Sequence, residues 1–165
     1  TSMIGRGVAA LAKDAFADTK IDSDQAMELI LKKYREFPCE RTTIYPGVLE
    51  TLQEISLEYK LHIVSNKPHD LVLLVCDHFN ITHLFGQIWG GDSHADRKPA
   101  PGIGLELINK EDTTVEKCLM VGDYNADRQF AENLHMDFLG CTYGYGSFGK
   151  DVRTIDMFPH ITNWL

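Results

Sequence analysis

From residue 61 onward the chain is punctuated by four short apolar runs, LHIVS (61–65), QIWG (87–90), CLMVG (118–122) and DFLGCTY (137–143), each followed by turn residues. Stretches of helical periodicity lie between them, at 68–79, 101–109 and 124–134. Strands that alternate with helices cannot pair as hairpins; they form a parallel sheet with crossover connections. This one pattern predicts an α/β body over residues 46–165. The earlier part of the chain reads differently. Ile4, Val8, Leu11 and Ala15 recur at helical spacing, as do Met27, Ile30, Leu31 and Tyr34, with Asp22 or Ser23 as the N-cap of the second set. Residues 1–45 are therefore predicted to be a helical appendage, and Pro46-Gly47 to open a third helix bearing Val48, Leu52 and Ile55.

In an open parallel sheet, ligands bind beyond the carboxyl ends of the strands. Ser65, Asn66, Lys67 and Pro68 follow the first run there, and the third is followed by Asp123, Tyr124, Asn125, Ala126 and Asp127. The loop GDSHADRKPAP after the second carries Lys98. Taken singly, each has an ordinary explanation. Ser65 suits a helix cap, Lys98 a solvated surface position, and Asp127 the positive end of a helix dipole. Asp123 is harder to explain this way, because a carboxylate directly after a buried strand loses solvation unless something uses it. Together they supply two sets of groups on one edge. A hydroxyl, an ammonium group and a helix N-terminus suit a phosphate, and carboxylate oxygens suit Mg²⁺.

Composition narrows the classes. A formal net charge of −8 argues against a nucleic-acid surface but leaves room for a small anionic ligand. No apolar run approaches the roughly 20 residues of a membrane span, and TSMIGRGVAA lacks the basic-then-apolar order of a signal peptide. The four scattered cysteines form no CxxC pair, so reduced thiols in a cytoplasmic protein are expected. The seven histidines show no zinc-binding spacing.

The motifs IVSNKP, RKPAP and VGDYNAD, in that order, resemble motifs two to four of the haloacid dehalogenase-like phosphohydrolases; YPGVLETLQEI, GGDS and TYGYG resemble that superfamily's phosphoglycolate phosphatase branch. The resemblance implies a Rossmann-like core at 46–165 and a partial helical cap at 1–45. It implies that Ser65 and the backbone at Asn66 bind the phosphoryl group, that Lys98 neutralises it, and that Asp123 binds Mg²⁺. Asp127 would hold the metal through water or brace the loop, and Arg6 falls where such caps reach toward substrate. The implied activity is Mg²⁺-dependent hydrolysis of a small phosphorylated metabolite such as phosphoglycolate, through an aspartyl-phosphate. The alternatives are a sugar-phosphate mutase or other phosphotransferase of the superfamily, and a non-catalytic phosphate-binding protein.

One part of the family pattern has no counterpart. Its first motif, a strand ending in DxDGT, carries the nucleophilic aspartate, and no such sequence occurs. DSDQAM (22–27) has two aspartates at the right separation, but no apolar strand precedes it and a helix cap explains it. The expectation is a core lacking its first strand, with the adjacent strands left an open slot for an N-terminal segment or an element of a second copy.

Overall fold

The computed structural model describes Gly5 and residues 7–165. Its elements in chain order are α1 (Val8–Ala15), α2 (Ser23–Glu36), α3 (Val48–Ile55), β1 (Leu61–Val64), α4 (His69–His78) and β2 (Phe85–Trp89). They continue as α5 (Gly102–Lys110), β3 (Leu119–Gly122), α6 (Asn125–Leu134), β4 (Asp137–Cys141) and β5 (Thr154–Ile155). The four apolar runs are strands, and the three stretches between them are helices. β5 was not anticipated, since two residues carry no periodicity; it exists because Thr154 and Ile155 register on Gly140 and Cys141 of β4.

Local chemistry sets the helix starts. The Asp22 carboxylate accepts from the amides of Asp24 at 2.8 Å and Gln25 at 3.3 Å, so DSDQAM is a helix cap in the structure. Gly47 begins α3 with φ +75, and a side chain there would sit 2.5 Å from Pro159 Cγ. Only glycine meets both demands. The first helix departs from its expected stripe. Val8 and Leu11 are half-buried, Ala15 is exposed, and the buried residue is Ala12. α1 packs on α2, whose buried residue is Ala26; small side chains at Ala12 and Ala26 permit close approach of the two backbones.

All strand pairing is parallel, as expected of crossover connections, but the sheet is in two parts. β1 pairs with β2, and β4 lies between β3 and β5. Among the described residues no backbone ladder joins β1 to β3. Side chains nevertheless hold the two parts together on both faces. Leu61 of β1 and Leu119 and Val121 of β3 pack on one core of Ile55, Leu139, Cys141, Ile155 and Ile161. Val64, Trp89 and Met120 pack on the other, formed by Ile103, Phe130 and Leu134. Every residue of β1 and β3 is only half-buried, whereas Leu139 in β4 is 1% exposed. Among the described residues β1 and β3 thus share both cores with no backbone ladder between them.

This arrangement has a direct signature in amide exchange. Successive amides of a strand point to alternate sides. At dilutions that keep the chain monomeric, every second amide of β1 and β3 should exchange freely, while amides of β4 bonded to β3 remain protected. Uniform protection through both strands in a verified monomer would contradict an open edge.

Candidate functional site

The loops at the carboxyl ends of β1, β2 and β3 meet at a cavity of about 300 Å³, lined by Ser65, Asn66, Lys98, Asp123 and Asp127 together with residues of α1 and α2. Five of the six expected site residues therefore share one crevice. The sixth, Arg6, lies outside the described residues.

The loop after β1 is held on both sides. The Ser65 amide donates to the Trp89 carbonyl at 2.9 Å, and the Ser65 hydroxyl accepts from the Lys67 amide at 3.1 Å. Asn66 Nδ2 donates to the carbonyls of Lys98 at 2.9 Å and Gly5 at 3.2 Å. The buried Asn66 Oδ1 has no partner among the described residues. Gly91 permits this closeness, since a side chain there would lie 2.6 Å from the Asn66 carbonyl oxygen. The Lys98–Pro99 peptide is cis.

Lys98 and Asp127 form the most buried ion pair of the described residues. Nζ donates to Oδ1 at 2.6 Å, and the side chains are 9% and 11% exposed. The other Asp127 oxygen accepts from the Tyr124 amide at 3.0 Å. Both carboxylate oxygens are thus engaged by protein donors, and of the two roles expected for Asp127 these bonds are those of a brace. Gly122 lets α6 approach the end of β3, because a side chain there would meet Asp127 Cβ at 2.4 Å.

Asp123 is wrapped by the TYGYG segment. Its Oδ2 accepts from the Tyr145 amide at 2.9 Å, and its carbonyl accepts from the Gly146 amide at 2.7 Å. Its Oδ1 has no partner among the described residues. Tyr145 thus serves the site through its backbone, with its ring exposed. Behind it, burial raises the Tyr143 phenol far above its ordinary range, with the Cys141 side chain and the Asp123 charge adding to the effect. Burial also raises the Cys141 thiol. Neither group releases a proton near neutral pH.

Among the described residues no three His, Cys, Asp or Glu side chains gather as a metal site. Mg²⁺ does not require that many, because it is commonly bound by one or two carboxylates, substrate phosphate and retained waters. The unpartnered Asp123 oxygen at the crevice is a hard donor of the type it takes. The residues present therefore fit Mg²⁺, and Asp123 is the better placed of the two carboxylates. A second hollow, about 600 Å³, runs along α2 and is lined by Met27, Leu31, Lys32 and Arg35 among others, all from one helix. It gathers no convergent chemistry. All four cysteines are free thiols, and no helix of the described residues is long and apolar enough to cross a membrane.

The sequence reading passed over Lys67 and Tyr34, which also line the crevice. Lys67 was visible as the next residue of the SNKP loop. Tyr34 was absorbed into the apolar stripe of α2.

Comparison with known proteins gives the family. The family model for haloacid dehalogenase-like hydrolases matches residues 3–141. A phosphoglycolate phosphatase of Colwellia psychrerythraea is 30% identical over 148 residues, covering 87% of this chain and 65% of its own length. One of Aquifex aeolicus is 35% identical over 153 residues, covering 92% of this chain and 71% of that protein. A crystal structure described as a predicted phosphoglycolate phosphatase from Haemophilus somnus superposes with a TM-score of 0.89 at 28% identity, covering 99% of this chain and 79% of the other. The chain spans about two thirds of the length of the curated relatives it matches, 65% and 66% for the Colwellia and Aliivibrio fischeri proteins.

The buried pair makes a quantitative prediction. Lys98→Ala leaves the Asp127 carboxylate without its cation and should cost about 3 kcal/mol of stability. Adding Asp127→Ala should cost much less than its single-variant effect, because the stranded charge is removed. Chemical denaturation of the four proteins measures this, and strictly additive losses would show that the pair is not energetically coupled.

Proposed function

This chain belongs to the haloacid dehalogenase-like hydrolases, and we propose that it carries the phosphate and Mg²⁺ sites of a phosphatase for small phosphorylated metabolites, phosphoglycolate foremost. The observation that supports this most is the Lys98 ammonium, fixed by Asp127 in a cavity that Ser65 and Asp123 also line. The similarity to the phosphoglycolate phosphatases of Colwellia and Aquifex supports the choice of substrate.

In this reading the Ser65 hydroxyl and neighbouring backbone position the phosphoryl oxygens. Lys98, already oriented by its carboxylate, meets them without reorganising, which is what makes a fixed cation effective against developing charge. Asp123 would hold Mg²⁺ and Asp127 would brace Lys98 and the loop; when bound, the ion draws charge from the phosphoryl group. Residues 1–45 act as the helical cap over a core of residues 46–165. The nucleophile is a carboxylate at the end of a strand seated between β1 and β3, where it would emerge between Ser65 and Asp123. Its oxygen bonds to phosphorus as the ester oxygen leaves, and water then cleaves the aspartyl-phosphate. In this reading an N-terminal segment, or an element of a second copy, supplies that strand.

Three outcomes follow. Asp123→Asn should weaken Mg²⁺ binding to the chain at least about tenfold in calorimetry, since even supporting groups of a metal site cost that much; an unchanged affinity would remove Asp123 from the site. In the form that turns over phosphoglycolate, Lys98→Ala should lower kcat about a hundredfold or more, and unchanged turnover would remove Lys98 from the mechanism. Residues 1–165 alone should not hydrolyse phosphoglycolate. Robust turnover that Asp123→Asn abolishes would place the nucleophile within this chain and reopen Asp22 and Asp24.

A further inference from the structure

The crevice contains a second ammonium group whose charge the phosphate and metal sites do not use. Lys67 lies two residues after Ser65, and its Nζ donates to the Tyr34 hydroxyl of α2 at 2.5 Å, 4.5 Å from the centroid of that ring. No carboxylate lies within ion-pair reach of it among the described residues, whereas Lys98 is committed to Asp127. An ammonium group has three donors, and the only acceptor Lys67 has found is a neutral phenol. Its half-buried position reduces the water available to the rest.

The charges around the cavity make the asymmetry plain. Lys98 and Asp127 cancel, and Asp123 is the metal position, so Lys67 remains as an uncompensated cation. The two lysines are also tethered to different helices, Lys98 to α6 through Asp127 and Lys67 to α2 through Tyr34. A ligand whose phosphoryl end is held at Ser65 and Lys98 therefore meets a separate cation where its other end approaches the helix pair. A cavity of about 300 Å³ is at the small end for a ligand site, so a short molecule can reach both.

We propose that Lys67, presented by Tyr34, binds a carboxylate at the far end of the substrate and so selects short phosphate monoesters that carry one over esters with a neutral tail. The inference rests on the phosphatase reading above. One ammonium matches one carboxylate; a second phosphate, with nearly twice the charge, would leave an excess. The Tyr34 hydroxyl holds the cation at α2. Lys67 acts here in specificity and touches no reacting atom.

A plainer role is also consistent with the bond: a latch between α2 and the body, as the exposed Arg35–Asp70 pair is at 2.8 Å. Binding separates the two. The chain is titrated calorimetrically, with Mg²⁺ present, against 2-phosphoglycolate and against ethyl phosphate. Wild type should bind 2-phosphoglycolate about ten- to a hundredfold more tightly, the range of a charge-assisted hydrogen bond. Lys67→Met, which keeps most of the apolar stem, should bring the ratio of affinities close to one. Lys67→Arg should retain a preference, and Tyr34→Phe should reduce it by a smaller factor. If wild type binds both esters equally, or if Lys67→Met leaves the ratio unmoved while weakening both, the inference is overturned and the phosphate-site reading stands. If neither ester binds, the phosphatase reading falls and the inference falls with it.

Discussion

The buried contact between Lys98 and Asp127 holds the crevice together. Two opposite charges withdrawn from water are stable only with good geometry and satisfied remaining valences, and the structure supplies both. Asp127 uses its second oxygen on the Tyr124 amide, and the Lys98 carbonyl is held by Asn66. These bonds form a polar chain from the loop after β1, through the loop after β2, to the start of α6. It crosses the place where no backbone ladder joins β1 to β3. At the carboxyl edge, side chains thus do the joining that strand pairing does elsewhere in a sheet.

That division of labour explains why the site is assembled while the sheet is open. The two hydrophobic cores are shared across the gap, so the layers above and below stay in register. Unpaired strand edges are unfavourable when covered from water and a template for pairing when exposed. A strand entering between β1 and β3 would complete the sheet and deliver its last residue between Ser65 and Asp123.

Much of this was legible in the sequence because parallel α/β architecture converts chain order into spatial convergence. Ser65, Lys98, Asp123 and Asp127 are far apart along the chain, yet each follows a strand on the same edge. DSDQAM was readable as a cap because no strand precedes it. Other features depend on tertiary packing and left weaker marks. β5 is held by register against Gly140 and Cys141. Ala12 lies off the periodic stripe of α1, and its burial depends on the packing of α1 against α2. The Tyr145 amide matters more to Asp123 than its ring does, and backbone donors leave no residue-type signal. Lys67 and Tyr34 were legible only as a pair, and a pair across a cavity has no sequence spacing.

The central claim is that one crevice holds a phosphoryl group and a divalent cation side by side. A crystal structure of the chain grown with Mg²⁺ and tungstate tests it most directly, because the tungsten atom locates the anion without ambiguity. The account predicts tungstate within hydrogen-bond reach of Ser65 Oγ and Lys98 Nζ, with the cation on Asp123. Tungstate bound only elsewhere, with no cation at Asp123, would contradict it.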